Sequence, residues 1–186
     1  MRNISLLFCM LCAIVLFSCK KQSERQVIFV DEPKEVIDTT TIALQDVEIP
    51  TREVEWGGAP CFITVKRITD KQRPVVKDNF GHKYYDTKIT VRVVNKEGKT
   101  FFERDFTKDD FSSCVDAKLK KKSVLLGLPF TEVENGMLTF RGSVGSPDPT
   151  SDEYDPVVMR ISHSASFQVA YDNKPDFEIN NEEEGV

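Results

Sequence analysis

The chain has 186 residues, and 40% of them, including thirteen phenylalanines, are apolar, which is enough for one domain with a sizeable core. Thirty acidic side chains outnumber 25 basic ones, giving a net charge of −5. The sequence has no basic stripe, so nucleic acid is excluded as an expected partner, because phosphate binding needs clustered cations.

The first 18 residues have the pattern of a secretory signal peptide. A basic start at Arg2 precedes an apolar run from Ile4 to Phe17, and the small residue Ser18 precedes Cys19. At about 1.5 Å per residue the run is roughly 21 Å long, too short for a bilayer core of about 30 Å. A small residue followed by cysteine resembles the lipobox of bacterial lipoproteins, so we expect Cys19 to be acylated and to become the first residue of the mature chain.

Acylation at Cys19 predicts a cell-envelope location with the membrane as a partner. One acyl chain alone gives only marginal membrane binding. Bacterial lipoproteins resemble one another in carrying two or three chains, so the attachment is expected to be permanent. The outer membrane is the expected site, with the protein on its periplasmic face or at the cell surface.

Residues 19–48 are predicted to form a lipidated N-terminus and a flexible tether, because the segment is charged and polar without a sustained period. Residues 27–30 (VIFV) are an apolar exception; docking on the domain as an added edge strand is expected, and contact with a partner is the alternative. Residues 38–40 (DTT) resemble the Asp-Thr-x acceptor of O-glycosylation, so Thr39 is a candidate modification site and an unmodified Thr39 is the alternative.

Cys61 and Cys114 leave two alternatives open. An envelope compartment permits a disulfide, which closes a loop of about 54 residues and is worth roughly 4 kcal/mol in chain-entropy terms. Two buried free thiols are favoured, because nothing in the sequence brings the two Cα atoms within about 7 Å.

Residues 49–172 are predicted to form a β-rich domain of about eight antiparallel strands, because apolar and polar residues alternate in short runs between turn signals. The clearest pair is 85–94 and 99–106, joined by a turn at 95–98. An Asn-Gly pair at 135–136 is the strongest hairpin signal in the chain.

One short helix is predicted after residue 106. Thr107 is its expected N-cap, and Phe111, Val115 and Leu119 at four-residue spacing form an apolar stripe. One helix among many strands predicts a mainly β fold, either an antiparallel β-sandwich or a partly open β-barrel. Residues 173–186 are expected to be an acidic, disordered tail.

Four segments of the chain are distinctive. They are residues 54–58 (VEWGG), 76–81 (VKDNFG), 101–111 (FFERDFTKDDF) and 152–154 (DEY). Together they resemble a family of Bacteroidota-type lipoproteins classified only as domain of unknown function 4738, over roughly residues 50–171. The resemblance implies an envelope lipoprotein domain and supplies no activity, ligand or catalytic residue.

Two groups of side chains are candidate ligand contacts. Trp56, Tyr84 and Tyr85 flank predicted loops and form a candidate stacking platform for a sugar or a peptide. The favoured alternative is that these aromatic rings close the end of a sheet. Arg104 lies between two phenylalanines of one face, and a buried guanidinium needs a carboxylate partner such as Asp86. A structural ion pair is favoured for Arg104 over ligand binding.

No catalytic motif stands out in the sequence. His82 and His163 are too few for a His-rich metal site. An acidic loop offers the oxygen ligands that calcium prefers but lacks EF-hand spacing, so a solvated loop is favoured. The carboxylates of this loop are Asp148, Asp152, Glu153 and Asp155. No metal and no cofactor are expected.

These observations favour a non-catalytic, lipid-anchored module that binds or supports an envelope protein or a glycan. An enzyme is not expected. The alternative is a small-ligand carrier or a hydrolase, in the periplasm or at the cell surface. An exposed apolar patch favours the binding module. A deep pocket that contains an acid with a strongly shifted pKa favours the carrier or hydrolase.

Overall fold

The computed structural model describes residues 40–174. Over this range the chain forms twelve strands, one 3₁₀ turn (Lys108–Phe111) and one short α-helix, α1 (Ala117–Lys121). The strands are β1 (Thr41–Ile42), β2 (Val47–Trp56), β3 (Ala59–Asp70), β4 (Val76–Lys77), β5 (Lys83–Tyr84), β6 (Asp86–Asn95), β7 (Thr100–Phe106), β8 (Val124–Gly127), β9 (Phe130–Glu134), β10 (Met137–Gly145), β11 (Tyr154–Ile161) and β12 (Phe167–Tyr171).

Two antiparallel sheets form a sandwich. The first sheet has the strand order β2-β3-β6-β7, and the second has the order β12-β11-β10-β8 with β9 also paired to β10. Alternate side chains of each strand face inward. Ile63, Val91 and Phe106 of the first sheet therefore share one buried core with Phe140 and Met159 of the second. The predicted mainly β, antiparallel fold is confirmed. Of the two predicted architectures the described residues form the sandwich, with twelve strands where about eight were predicted.

The hairpin predicted as the clearest strand pair is present as β6 and β7. Ile89 lies opposite Phe106 in its register, and both side chains are fully buried. The predicted turn at Asn135 and Gly136 has a positive φ at both residues, 52° and 75°, as a two-residue hairpin loop requires.

The strand predicted over residues 124–133 is split at Pro129 into β8 and β9. Pro129 has no N–H to donate to a strand ladder, and the preceding Leu128 turns into the core with 1% of its surface exposed. Both pieces pair with β10, each with a shift in register. The crossing passes so close to Gly142 that a Cβ atom there would lie 1.9 Å from the carbonyl oxygen of Gly127.

The predicted single helix is two separate turns. After the 3₁₀ turn, the chain leaves helical geometry at Asp116, whose ψ of 133° is extended. The Asp116 carboxylate then accepts hydrogen bonds from the backbone of Lys118 and Leu119 and caps α1. Phe111 and Val115 are nevertheless buried as expected, so the apolar spacing identified core residues although the helix between them is interrupted.

A third, small sheet has the order β1-β5-β4. β1 pairs with β5 in parallel, and the segment that follows it is bound to the first sheet, since Thr69 donates to the carboxylate of Asp46 and the carbonyl of Leu44 at 2.9 and 3.0 Å. The folded domain therefore starts before the boundary predicted at residue 49.

Several predictions concern residues outside the described range. These are the signal peptide, Cys19, the apolar residues 27–30, Thr39 and the tail beyond residue 174. Within residues 40–174, no helix is both long enough and apolar enough to cross a membrane.

Candidate functional site

A groove of about 700 Å³ lies on the second sheet, beside β8, β10 and β11. Three small residues, Gly127, Gly142 and Ser143, are among those that line it. At the neighbouring Gly145, a Cβ atom would lie 2.6 Å from the Cβ of Tyr154, so only glycine lets Tyr154 approach this closely. We call this depression the β10 groove.

One part of the β10 groove is apolar. Leu126, Pro129, Tyr154 and Pro156 line it. Tyr154 is 46% exposed. An aromatic ring with an exposed surface offers a face for stacking against an apolar ligand surface, such as the face of a sugar ring.

The other part of the groove is charged. Arg141 is mostly buried, and its Nη1 donates to both carboxylate oxygens of Asp172 at 2.6 and 2.7 Å. The Asp172 carboxylate thereby raises the pKa of Arg141. Nη2 of Arg141 lies 3.4 Å from both Glu132 and Glu134, so one guanidinium organises three carboxylates.

Two further cations complete this charged cluster. Lys174 Nζ donates to Glu134 at 2.7 Å, and Arg160 Nη2 donates to the other oxygen of the same carboxylate at 3.1 Å. These hydrogen bonds, from Lys174 first and Arg160 second, lower the pKa of Glu134. The cluster has three cations and three carboxylates, so its net charge is zero while its hydrogen-bonding groups remain. They are Arg141, Arg160, Lys174, Glu132, Glu134 and Asp172. The Thr139 hydroxyl is buried without a hydrogen-bond partner among the described residues.

The groove offers both an apolar wall and hydrogen-bonding groups to a ligand. A general acid at neutral pH needs a raised carboxyl pKa. Each carboxyl with a resolved shift in the described chain has its pKa lowered; these are Asp78, Asp105, Asp109, Asp116, Glu134 and Glu153. The apolar wall lies beside the paired Arg141 guanidinium and Asp172 carboxylate. This arrangement suits a saccharide or an extended peptide, because each carries both apolar and hydrogen-bonding surface.

The structure does not bring the predicted aromatic platform together. Trp56 lies at the β2–β3 turn, whereas Tyr84 and Tyr85 directly precede β6, which pairs with the far end of β3. The twelve residues of β3 at about 3.3 Å each separate these positions by roughly 40 Å. No single ligand of ordinary size contacts both groups.

Trp56 closes one end of the sandwich. Its Nε1 donates to the carbonyl of Gly136 at 2.9 Å, and its indole stacks on His163 with ring centres 4.1 Å apart. At the other end of the sandwich, Tyr84 is 4% exposed. Its burial raises the pKa of its phenol, and the negative charge of Asp78 adds to this effect. Tyr85 lies beneath Lys71.

Arg104 is an ion-pair residue with a different partner from the one predicted. Its Nη2 donates to Asp110 at 2.9 Å, and its guanidinium lies 4.4 Å from the ring centre of Phe167. The predicted partner was Asp86 or an acid on a neighbouring strand, whereas Asp110 lies in the 3₁₀ turn. Asp86 is 1% exposed and instead pairs with Arg73 and Lys108 at 3.1 and 3.3 Å.

The FTKxxF segment is structural. Thr107 and Asp110 form a reciprocal capping box, and Phe111 is fully buried. Lys108 Nζ donates to the carbonyl of Ser123 at 2.7 Å and pairs with Asp86. Residues 106–111, the end of one segment that carries the family resemblance, therefore fix the crossing between β7 and α1.

Asp109, in the same turn, gives a prediction about pH. Hydrogen bonds from Lys120 and then Arg73 lower its pKa from 3.8 to about 2. These ion pairs thus stabilise the fold above pH 4, and the stabilisation is lost as the pH falls towards 2. We expect Asp109→Asn to cost less than about 1 kcal/mol at pH 7, because the carboxylate is half exposed. Urea unfolding at pH 7 and pH 2.5 measures this; an equal loss at both values contradicts the ion-pair explanation.

Both cysteines of the domain are free thiols. Cys61 lies in the core, and burial raises the pKa of its thiol, which disfavours the reactive thiolate. Cys114 is partly buried beside Ser113.

The acidic loop does not gather its carboxylates. Asp148 accepts from the backbone N–H of Thr150, and Asp155 accepts from the backbone N–H of Asp116. Glu153 accepts from Lys122. Within residues 40–174, no group of three or more His, Cys, Asp or Glu side chains is placed to hold a metal ion.

Sequence reasoning missed the groove, although one signal was present. Two glycines, Gly142 and Gly145, stand inside a strand pattern, and glycine in a strand often marks a close backbone approach. The partners that meet there come from β8, β11 and the segment after β12, so their meeting depends on the topology.

Comparison with known proteins identifies the domain type. A family model described as Domain of unknown function (DUF4738) matches residues 29–169. No curated protein matches the chain.

Proposed function

This chain belongs to the DUF4738 family, a domain of unknown function, and from that premise we propose that it is a lipid-anchored, non-catalytic binding module of the cell envelope. The lipobox at Cys19 supports anchoring, and the polar segment that follows supports a tether. The β10 groove is the binding surface, and its ligand is a segment of an envelope protein or a glycan.

The observation that carries the proposal is the composition of the β10 groove. Tyr154 provides a stacking face, and Arg141 with Asp172 provides fixed hydrogen-bonding groups nearby. The carboxyls with resolved shifts are all held ionised by donors. Such a surface supports the binding and orientation of a ligand. The outer membrane, on either face, is the proposed location.

In-cell crosslinking tests the groove. A photoactivatable amino acid replaces Ser143, which lines the groove, and in a matched strain it replaces the exposed Thr51 on β2 of the other sheet. We expect a discrete adduct of the Ser143 variant, identified by mass spectrometry as an envelope protein or a glycan, and none from the Thr51 variant. Absence of an adduct at Ser143, or the same adduct from both positions, overturns the groove as the binding surface.

A small-ligand carrier is the second candidate, because about 700 Å³ lies within the usual size range of ligand pockets. Thermal unfolding with a panel of mono- and oligosaccharides separates the two. A rise in melting temperature for wild type that is absent in Tyr154→Ala supports the carrier.

The anchor gives its own prediction. We expect Cys19→Ser to abolish lipid attachment, because only the cysteine thiol accepts the thioether-linked lipid, and to leave an uncut or soluble precursor. Detergent partitioning of cell extracts, followed by intact mass, measures the change, with Cys61→Ser as the control cysteine variant. Equal membrane retention of Cys19→Ser and wild type contradicts the anchor.

A further inference from the structure

We propose that residues 76–84, the lysine hairpin formed by β4, its turn and β5, contact anionic lipid headgroups of the membrane that carries the anchor. The contact sets the orientation of the domain on the bilayer. This inference rests on the proposed lipid anchor at Cys19 and adds a second, non-covalent contact to it.

The lysine hairpin exposes an aromatic side chain on a fixed turn. Phe80 is 65% exposed, the highest value among the large apolar side chains of the described chain. Asp78 Oδ1 accepts from the backbone N–H groups of Phe80 and His82 at 2.8 and 2.9 Å, and Asp78 Oδ2 contacts His82 Nδ1 at 2.8 Å. The buried carboxylate thus holds the turn in shape, and burying Phe80 in an interface orders little additional backbone.

Two lysines flank that turn without counter-ions. Lys77 lies directly opposite Lys83 in the β4–β5 register, and neither ammonium makes an ion pair with any other described residue. Like charges facing each other across a strand pair are destabilising. Glu153, which accepts from Asn79 in the turn, is already neutralised by Lys122 Nζ at 2.6 Å. An anionic surface relieves the repulsion that the fold leaves in place.

The place where the chain enters the domain identifies the membrane as the occupant. Thr41 of β1 lies opposite Lys83 of β5, so the segment arriving from Cys19 joins the domain beside the lysine hairpin. Only about 20 residues separate Cys19 from Thr41, so the proposed anchor is close in the chain to this end of the domain. Ile42 and Val75, each 43% exposed, add apolar surface at the same small sheet.

The chemistry matches a membrane interface. An aromatic ring inserts at the headgroup level while lysines beside it pair with phosphate, and cations close to an anionic surface each strengthen the contact about fivefold. The net charge of −5 does not favour adhesion of the chain as a whole to anionic lipid. The attraction is local to Lys77 and Lys83.

Photocrosslinking to lipid tests the contact. The full acylated chain is reconstituted in phosphatidylcholine vesicles with or without phosphatidylglycerol, doped with a lipid that carries a photoactivatable group near its headgroup. We expect lipid adducts on the peptide that contains residues 76–84, at least about fivefold more with phosphatidylglycerol. Lys77→Glu with Lys83→Glu, and separately Phe80→Ser, should remove most of them.

Matched variants and co-sedimentation separate the outcomes. Lys96→Glu with Lys99→Glu makes the same change in charge at the β6–β7 turn, and Phe101→Ser removes a phenylalanine beside Trp56, so both should leave the adducts unchanged. Wild type that fails to co-sediment with vesicles overturns the anchor and this contact together. If wild type co-sediments but gives no adducts, or gives them only outside residues 76–84, the lipid contact is overturned and the anchor stands. The same conclusion follows if the adducts do not depend on phosphatidylglycerol or on the hairpin variants.

Discussion

Gly142→Ala is expected to destabilise the domain by at least about 3 kcal/mol, because the new methyl group overlaps backbone atoms. The Cβ atom would lie 1.9 Å from the carbonyl oxygen of Gly127, 2.8 Å from its carbonyl carbon and 3.0 Å from the Cα of Leu128. No rotation of a side chain relieves contacts with backbone. The crossing between β8 and β9 has to move, and Leu128 leaves the core with it.

Gly127→Ala is the matched control for this prediction. Its Cβ would meet only the Cδ of Pro129, at an ordinary 3.8 Å, so the expected change is within about 1 kcal/mol. Urea unfolding of both variants measures the difference. Similar midpoints for Gly142→Ala and Gly127→Ala contradict the proposed role of the crossing.

Asp86→Asn is expected to cost about 3–5 kcal/mol, since it leaves two cations without their buried counter-ion. Asp86 is 1% exposed and Lys108 has only 11% of its side chain exposed, so water does not replace the lost charge. Arg73 keeps Asp109 as a second partner. Most of the lost stability is therefore expected to come from the unpaired charge of Lys108. Denaturant unfolding at pH 7 measures it.

Two further variants isolate the cause of that loss. Asp105→Asn removes an ion pair with Lys88 in which both side chains are partly exposed, and should cost less than about 1 kcal/mol. Asp86→Asn combined with Lys108→Met removes both charges, and should cost less than the sum of the single variants. Additive losses contradict direct coupling between Asp86 and Lys108.

Local patterns in the sequence predicted the strands well. The β6–β7 hairpin follows from simple alternation, and the Asn135-Gly136 turn follows from the positive φ that only a few residues accept. Both signals lie within about ten residues of chain, so no knowledge of the topology was needed. The mainly β class was predicted for the same reason.

Contacts between distant segments were predicted poorly. Asp86 or an acid on a neighbouring strand was predicted as the partner of Arg104, but Asp110, six residues further along the chain, takes that role. The predicted helix failed at Asp116, because a residue that favours caps starts a new helix more readily than it continues one. The β10 groove depends on four strands, β8 to β11, and on the segment after β12, and no local pattern contains it.

Trp56 is the single tryptophan of the chain, so it is the source of the intrinsic tryptophan fluorescence. The indole joins the β2–β3 turn to Gly136 of the β9–β10 turn and to His163 after β11. Its emission is therefore expected to report whether the two layers are in contact at this end of the sandwich. Intrinsic fluorescence reads the opening of the sandwich directly, without an introduced dye.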